Sequence, residues 1–97
     1  MQANIPKIQQ IMIYLEGYES IIQVLYIKNV LRKLFSVQVV QFCESMDHSD
    51  VIITKDILTC EKSQNIFCMD DVLNDAKWEE LISYLINKVI NKQDAIN

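Results

Sequence analysis

The chain has 97 residues, nine Lys and Arg against thirteen Asp and Glu for a net charge of −4, and 51% hydrophobic residues. A chain this short buries about 60–65% of the surface its unfolded form exposes, enough for one core, which excludes a multidomain enzyme. The acidic balance and the lack of any Lys/Arg cluster remove the counterion-release term that drives nucleic-acid binding, and disfavour anionic membranes on the same ground.

Residues 9–15, QQIMIYL, form a short apolar run rich in β-formers, closed by Glu16 and the sole glycine, Gly17; they read as strand 1. From 20 to 35 the apolar residues Val24, Ile27, Leu31 and Leu34, flanked by Ile21, Leu25 and Phe35, make a helical stripe opposite Gln23, Lys28, Asn29, Arg32 and Lys33. Residues 37–42, VQVVQF, read as strand 2, residues 50–54, DVIIT, as strand 3, and residues 65–69, NIFCM, as strand 4. Asp70, Asp71 and Asn74 then offer caps for a second amphipathic helix from 75 to about 91. Its stripe is Trp78, Leu81, Ile82, Leu85, Val89 and Ile90, with Glu79 and Glu80 expected in the first turn and Lys88 and Lys92 near the end, as the helix dipole prefers. The head, 1–7, and the tail, 93–97, carry too little apolar surface to dock firmly.

The order is therefore β-α-β-β-β-α in one domain, 1–97, with its core at about 9–91. Strands 1 and 3 are apolar on both faces, as central strands of a parallel sheet are. The connection 43–49 reaches roughly 23 Å at about 3.3 Å per residue, room for an extended loop and not for a helix, and 55–64 returns in the same way. Right-handed crossovers then give a mostly parallel four-stranded α/β sheet with strand 1 in the middle, two long helices on one face and loops on the other. One Gly and one Pro are too few for an all-β fold. No apolar run approaches the roughly 18 residues of a membrane span, and no signal peptide opens the chain, so the expected location is cytoplasmic, including the cytoplasmic part of a membrane-anchored sensor. Met1 fits a free-standing protein as well as an excised piece.

Cys43, Cys60 and Cys68 form no Cys-x-x-Cys pair and are odd in number, so reduced, buried thiols are expected and no structural disulfide. His48, the only histidine, has no zinc-module spacing to them. A Cys43 nucleophile with His48 as its base lacks a third orienting group. The single glycine excludes Gly-rich phosphate loops. Tyr14, Tyr18, Tyr26, Phe67, Trp78 and Tyr84 have no interleaved Lys/Arg and do not read as a single-strand stacking platform.

Glu16, Asp56, Asp70 and Asp71 fall at or just after the carboxyl ends of the strands, where open α/β sheets place ligands, and three of them converging would suit Mg²⁺. The plainer expectation is helix initiation by Asp70 and Asp71, a solvated Glu16 and an Asp56–Lys55 pair. A sugar-transport phosphotransferase subunit on the same framework would need Cys directly after strand 1, where the chain has Leu15, Glu16 and Gly17.

The order of elements, and DVIITKDIL at 50–58 above all, resembles the receiver domain of response regulators with its middle helices removed. Receivers carry an acid pair after strand 1, a phosphoacceptor Asp after strand 3 and a Lys-Pro after the last strand. Here Glu16 is followed by Gly17, Lys55 holds the acceptor position with Asp56 one residue late, and Met69, Asp70 and Asp71 stand where Lys-Pro would. A narrower resemblance is to the α/β/loop domain of the Rcs phosphorelay, a degenerate receiver-like module, through the β-α-β-β start, the DVIIT strand after a loop, and the long final helix. That resemblance implies a noncatalytic scaffold of a two-component phosphorelay, without cofactor or metal, that docks a response regulator or an adjacent relay domain. The expected contact residues are Lys55, Asp56, Ile57, Leu58, Cys60, Glu61 and Phe67, a mixture of apolar and charged groups along the edge of the face bare of helices. The alternative is a degenerate receiver with residual metal or phosphoryl chemistry, or a small phosphotransferase-like subunit.

Overall fold

The computed structural model of the chain describes residues 9–56 and 65–94. Its elements are β1 (Ile11–Glu16), α1 (Ile21–Leu34), β2 (Val40–Phe42), a 3₁₀ turn (Met46–His48), β3 (Val51–Thr54), β4 (Ile66–Cys68) and α2 (Asp75–Asp94). The four strands form one sheet in the order β2-β1-β3-β4. Every pairing is parallel, with Ile11 opposite Val40, Ile13 opposite Val51 and Ile53 opposite Phe67. The expected α/β plan, with β1 inside the sheet, is the observed one.

Alternation along the strands sorts the side chains by face. Ile11, Ile13, Val40, Val51 and Ile53 join Ile27 and Leu31 of α1 and Trp78, Leu81 and Leu85 of α2 in one core. The Tyr26 and Trp78 rings lie 6.2 Å apart, so the two helices are neighbours on that face. The opposite face carries Met12, Ile52, Ile66 and Cys68, all half-buried, and Thr54, which is fully buried. No helix covers this second face among the described residues.

Gly17 ends β1 with φ +80°, and a Cβ there would lie 3.6 Å from Thr54 Oγ1 and 3.7 Å from the Lys55 nitrogen. The space is ordinary, so the backbone angle is what calls for glycine at this position. At the entrance of α2, Asp71 Oδ1 accepts from the Leu73 N–H at 3.0 Å, and Asn74 Oδ1 accepts from the Lys77 N–H at 3.2 Å. Asn74 is thus the cap, Asp71 shapes the turn before it, and Asp70 is exposed. The Trp78 indole N–H donates to the Val72 carbonyl at 2.7 Å and fixes the entry angle.

Several local expectations need correction. Residues 37–39 form a turn instead of the start of strand 2, because Ser36 captures the backbone. Its hydroxyl oxygen accepts from the Gln38 N–H at 3.0 Å and its carbonyl accepts from the Val39 and Val40 N–H groups at 2.9 and 3.0 Å. Glu79 and Glu80 lie beyond the first turn of α2, whose acid is Asp75. Gln93, expected loose, is docked by polar bonds in place of apolar area. Its side-chain amide donates to the Gln9 carbonyl at 2.8 Å and accepts from the Gln9 N–H at 3.1 Å. Lys92 donates to the Gln10 carbonyl and to Asp50 Oδ2, and Lys88 to Asn65 Oδ1. The last turns of α2 therefore tie down the amino-terminal ends of β1, β3 and β4.

Candidate functional site

The carboxyl edge of the sheet is the first place to look, and there the chain bonds to itself. The Lys55 N–H donates to the Glu16 carbonyl at 3.2 Å, and the Met69 N–H to the Thr54 carbonyl at 2.8 Å. Thr54 Oγ1 accepts from the Asp56 N–H at 3.0 Å, and the Tyr18 hydroxyl donates to the Met69 carbonyl at 2.7 Å. The position between β1 and β3, where a ligand of such a sheet would sit, is flanked by Gly17, Thr54 and Lys55, the last bonded through its N–H to the Glu16 carbonyl. Asp56, Asp70 and Asp71 are exposed, and among the described residues no group of three or more His, Cys, Asp or Glu comes together as a metal site. Glu16 Oε2 is buried without a hydrogen-bond partner.

The Cys43–His48 pairing weighed from the sequence is not made: the Cys43 thiol donates to the Ser45 carbonyl at 3.3 Å, while His48 is exposed in the 3₁₀ turn. Cys43 and Cys68 are free thiols and only half-buried, less enclosed than expected, because both lie on or beside the face without helices. Cys60 lies outside the described residues.

Of the expected contact residues, Lys55 and Asp56 are exposed at the carboxyl edge, and Ile57, Leu58, Cys60 and Glu61 lie outside the described residues. Phe67 belongs elsewhere. Its register partner is Ile53, on the helix side; its ring is 5.4 Å from that of Tyr84, and the Lys77 ammonium is 5.8 Å from its centroid. The expectation grouped Phe67 with the loop edge, whereas the pleat turns it to the helix-covered face.

The two sheet edges differ. Along β2 the Lys28 and Arg32 cations stand 5.5 and 5.4 Å from the Phe42 ring, charges of the kind that guard an edge strand. Beside β4 lies an open groove of about 570 Å³, lined by Phe67, Ala76, Glu79, Glu80, Ser83 and Tyr84. Burial pushes the Tyr84 phenol up from 10 to about 12. The folded state thus holds this proton more tightly than the unfolded one, and the resulting stability is fully present below pH 10 and is lost as pH rises through about 12. An ultraviolet phenolate titration should show one step near 12 that Tyr84→Phe removes; an unchanged titration would refute the assignment.

The surface that sequence reasoning missed is on α1. Ile21 is 69% exposed, Ile22 74%, Leu25 50% and Tyr26 42%, although Ile21 and Leu25 read as flanks of the buried stripe. Leu34, placed within that stripe, is 52% exposed. The available signal was the width of the apolar arc, which exceeds the roughly 100° stripe that one sheet face covers. Among the described residues no helix is long and apolar enough to cross a membrane. Comparison of the chain with protein-family models, with curated proteins and with solved structures found no match in any of the three.

Proposed function

We propose that the chain is a noncatalytic protein–protein interaction module of a two-component phosphorelay, cytoplasmic and without cofactor, that docks a response regulator or a neighbouring relay domain. The observation that carries this reading is the carboxyl edge: in a receiver-like strand order, Lys55 stands exposed at the acceptor position and its backbone N–H is bonded to the Glu16 carbonyl across β1 and β3. Lys55 offers no carboxylate at the acceptor position, and Lys55 and Asp56 are both exposed at the edge where a partner protein would dock. One observation favours the rival, a degenerate receiver with residual metal or phosphoryl chemistry, namely the unpartnered Glu16 Oε2.

A single set of measurements separates the two. Incubation with a small phosphodonor and Mg²⁺ should leave the mass unchanged, and a gain of about 80 Da, the mass of an added phosphoryl group, at Asp56 would establish the rival. Titration with a candidate response regulator should shift the amides of Lys55, Asp56 and the segment leading to β4. The docking reading fails if those amides stay still while Lys28 and Arg32 of α1 respond.

A further inference from the structure

The outer face of α1 has a pattern of its own. Its exposed residues are Ile21, Ile22, Leu25 and Tyr26 in the first two turns and Asn29, Arg32 and Lys33 in the rest. A solvent-facing helix surface is ordinarily polar, and four large apolar side chains grouped on one are a mark of an interface. The helix contains no acid, and its exposed cations, Arg32 and Lys33, sit at the carboxyl end, with Lys28 half-buried toward β2, while the exposed Glu19 stands just before its amino end.

We propose that this face is a two-fold dimer interface with a second copy of the chain, the two α1 helices crossing antiparallel. The pattern is self-complementary in that arrangement. With Leu25 set against the partner's Tyr26, Ile22 falls opposite the partner's Asn29, and Glu19 opposite the partner's Arg32 and Lys33. Glu19 and Arg32 are thirteen residues apart, roughly 20 Å at helical rise, so the charges close both ends of an apolar centre. Two-fold symmetry makes every contact twice, which suits an isologous interface.

Charge excludes the simpler alternatives. A parallel pairing would stack Arg32 and Lys33 on their own copies. An anionic bilayer reaching Ile22 and Leu25 would meet Glu19 together with Asp70, Asp71 and Asp75, which the parallel topology places at the same end of the domain. One helix pair is a small contact, so the dimer belongs at the weak end of specific association. This interface is on a different surface from the carboxyl edge, so its failure would leave the docking reading standing.

Sedimentation equilibrium of the whole chain over a concentration series should show the apparent mass rising toward twice the monomer value. Ile22→Asp, on a side chain already 74% exposed and so harmless to the fold, should abolish that rise. Glu19→Lys should weaken the dimer by about tenfold, since an attraction becomes a repulsion at two symmetric positions, and adding Arg32→Glu and Lys33→Glu should restore it. The dimer is overturned if the chain stays monomeric up to about 1 mM, a concentration at which even weak association is populated. Association that survives Ile22→Asp, failure of the triple variant to recover, or a monomer whose α1 amides respond only to anionic vesicles would overturn it equally.

Discussion

Leu81→Ala should cost about 2–5 kcal/mol of unfolding free energy, the range for emptying a leucine site in a packed core. Leu81 is fully buried on α2, in the cluster that holds Trp78, Leu85, Ile11 and Ile13, so the truncated side chain leaves a void between helix and sheet. For a domain of this size each kcal/mol moves the melting temperature by roughly 4–8 °C, so a fall on the order of 10–20 °C or more is expected. Urea unfolding gives the free energy directly, with an unchanged m-value showing that only stability moved. Ile90→Ala on the same helix, 51% exposed, is the control and should stay within about 0.5 kcal/mol. A loss below about 1 kcal/mol at Leu81 would mean that α2 is not seated on the sheet as described.

Asp50→Ala should be the most damaging change among the polar residues, at about 1–3 kcal/mol. Asp50 Oδ2 accepts from the Met12 N–H at 2.8 Å and from the Lys92 ammonium at 2.8 Å, while the Asp50 N–H donates to the Met12 carbonyl at 2.8 Å. Truncation in one step orphans a half-buried backbone donor on the central strand and removes one of the bonds that hold the end of α2. The ion pair contributes the smaller share, since both side chains are about a third exposed, 31% and 33%, and water screens them. Asp50→Asn keeps an acceptor oxygen without the charge and should lose roughly half as much or less. Faster hydrogen exchange at the Met12 amide in Asp50→Ala is the local readout, and unchanged protection there would sink the account.

Strand order was legible because it follows from connection lengths and apolar runs: a loop of seven residues between strands 2 and 3 is long enough to return along a strand and cross one neighbour, which sets strand 3 on the far side of strand 1. The long stripe from Trp78 to Val89 marked α2 for the same reason, its period being sustained over about three turns. Three things were not legible. The turn at 37–39 is decided by one hydroxyl, Ser36, that outweighs the β-propensity of Val37 and Val39. Which side of α1 faces the sheet is a tertiary fact, since Ile21, Ile22, Val24, Leu25, Ile27 and Leu31 surround most of the helix and periodicity alone does not choose between arcs. The face of Phe67 depends on register, where a shift of one residue reverses every side chain.

The amide pair between Gln9 and Gln93, and the Lys92 bridge to Gln10 and Asp50, have a kinetic consequence. The two glutamines are separated by 84 residues. At a synthesis rate of about 5–20 residues per second, β1 is made roughly 4–17 s before the end of the helix that holds it. For about the first half of that interval the central strand lacks β3, and for all of it the complete α2, so Ile11, Ile13 and Leu15 stand open to other chains. Folding of this domain is therefore a late event in its own synthesis, gated by α2, and a chain stalled before Lys92 would present to chaperones and proteases the apolar strand that the finished molecule hides most completely.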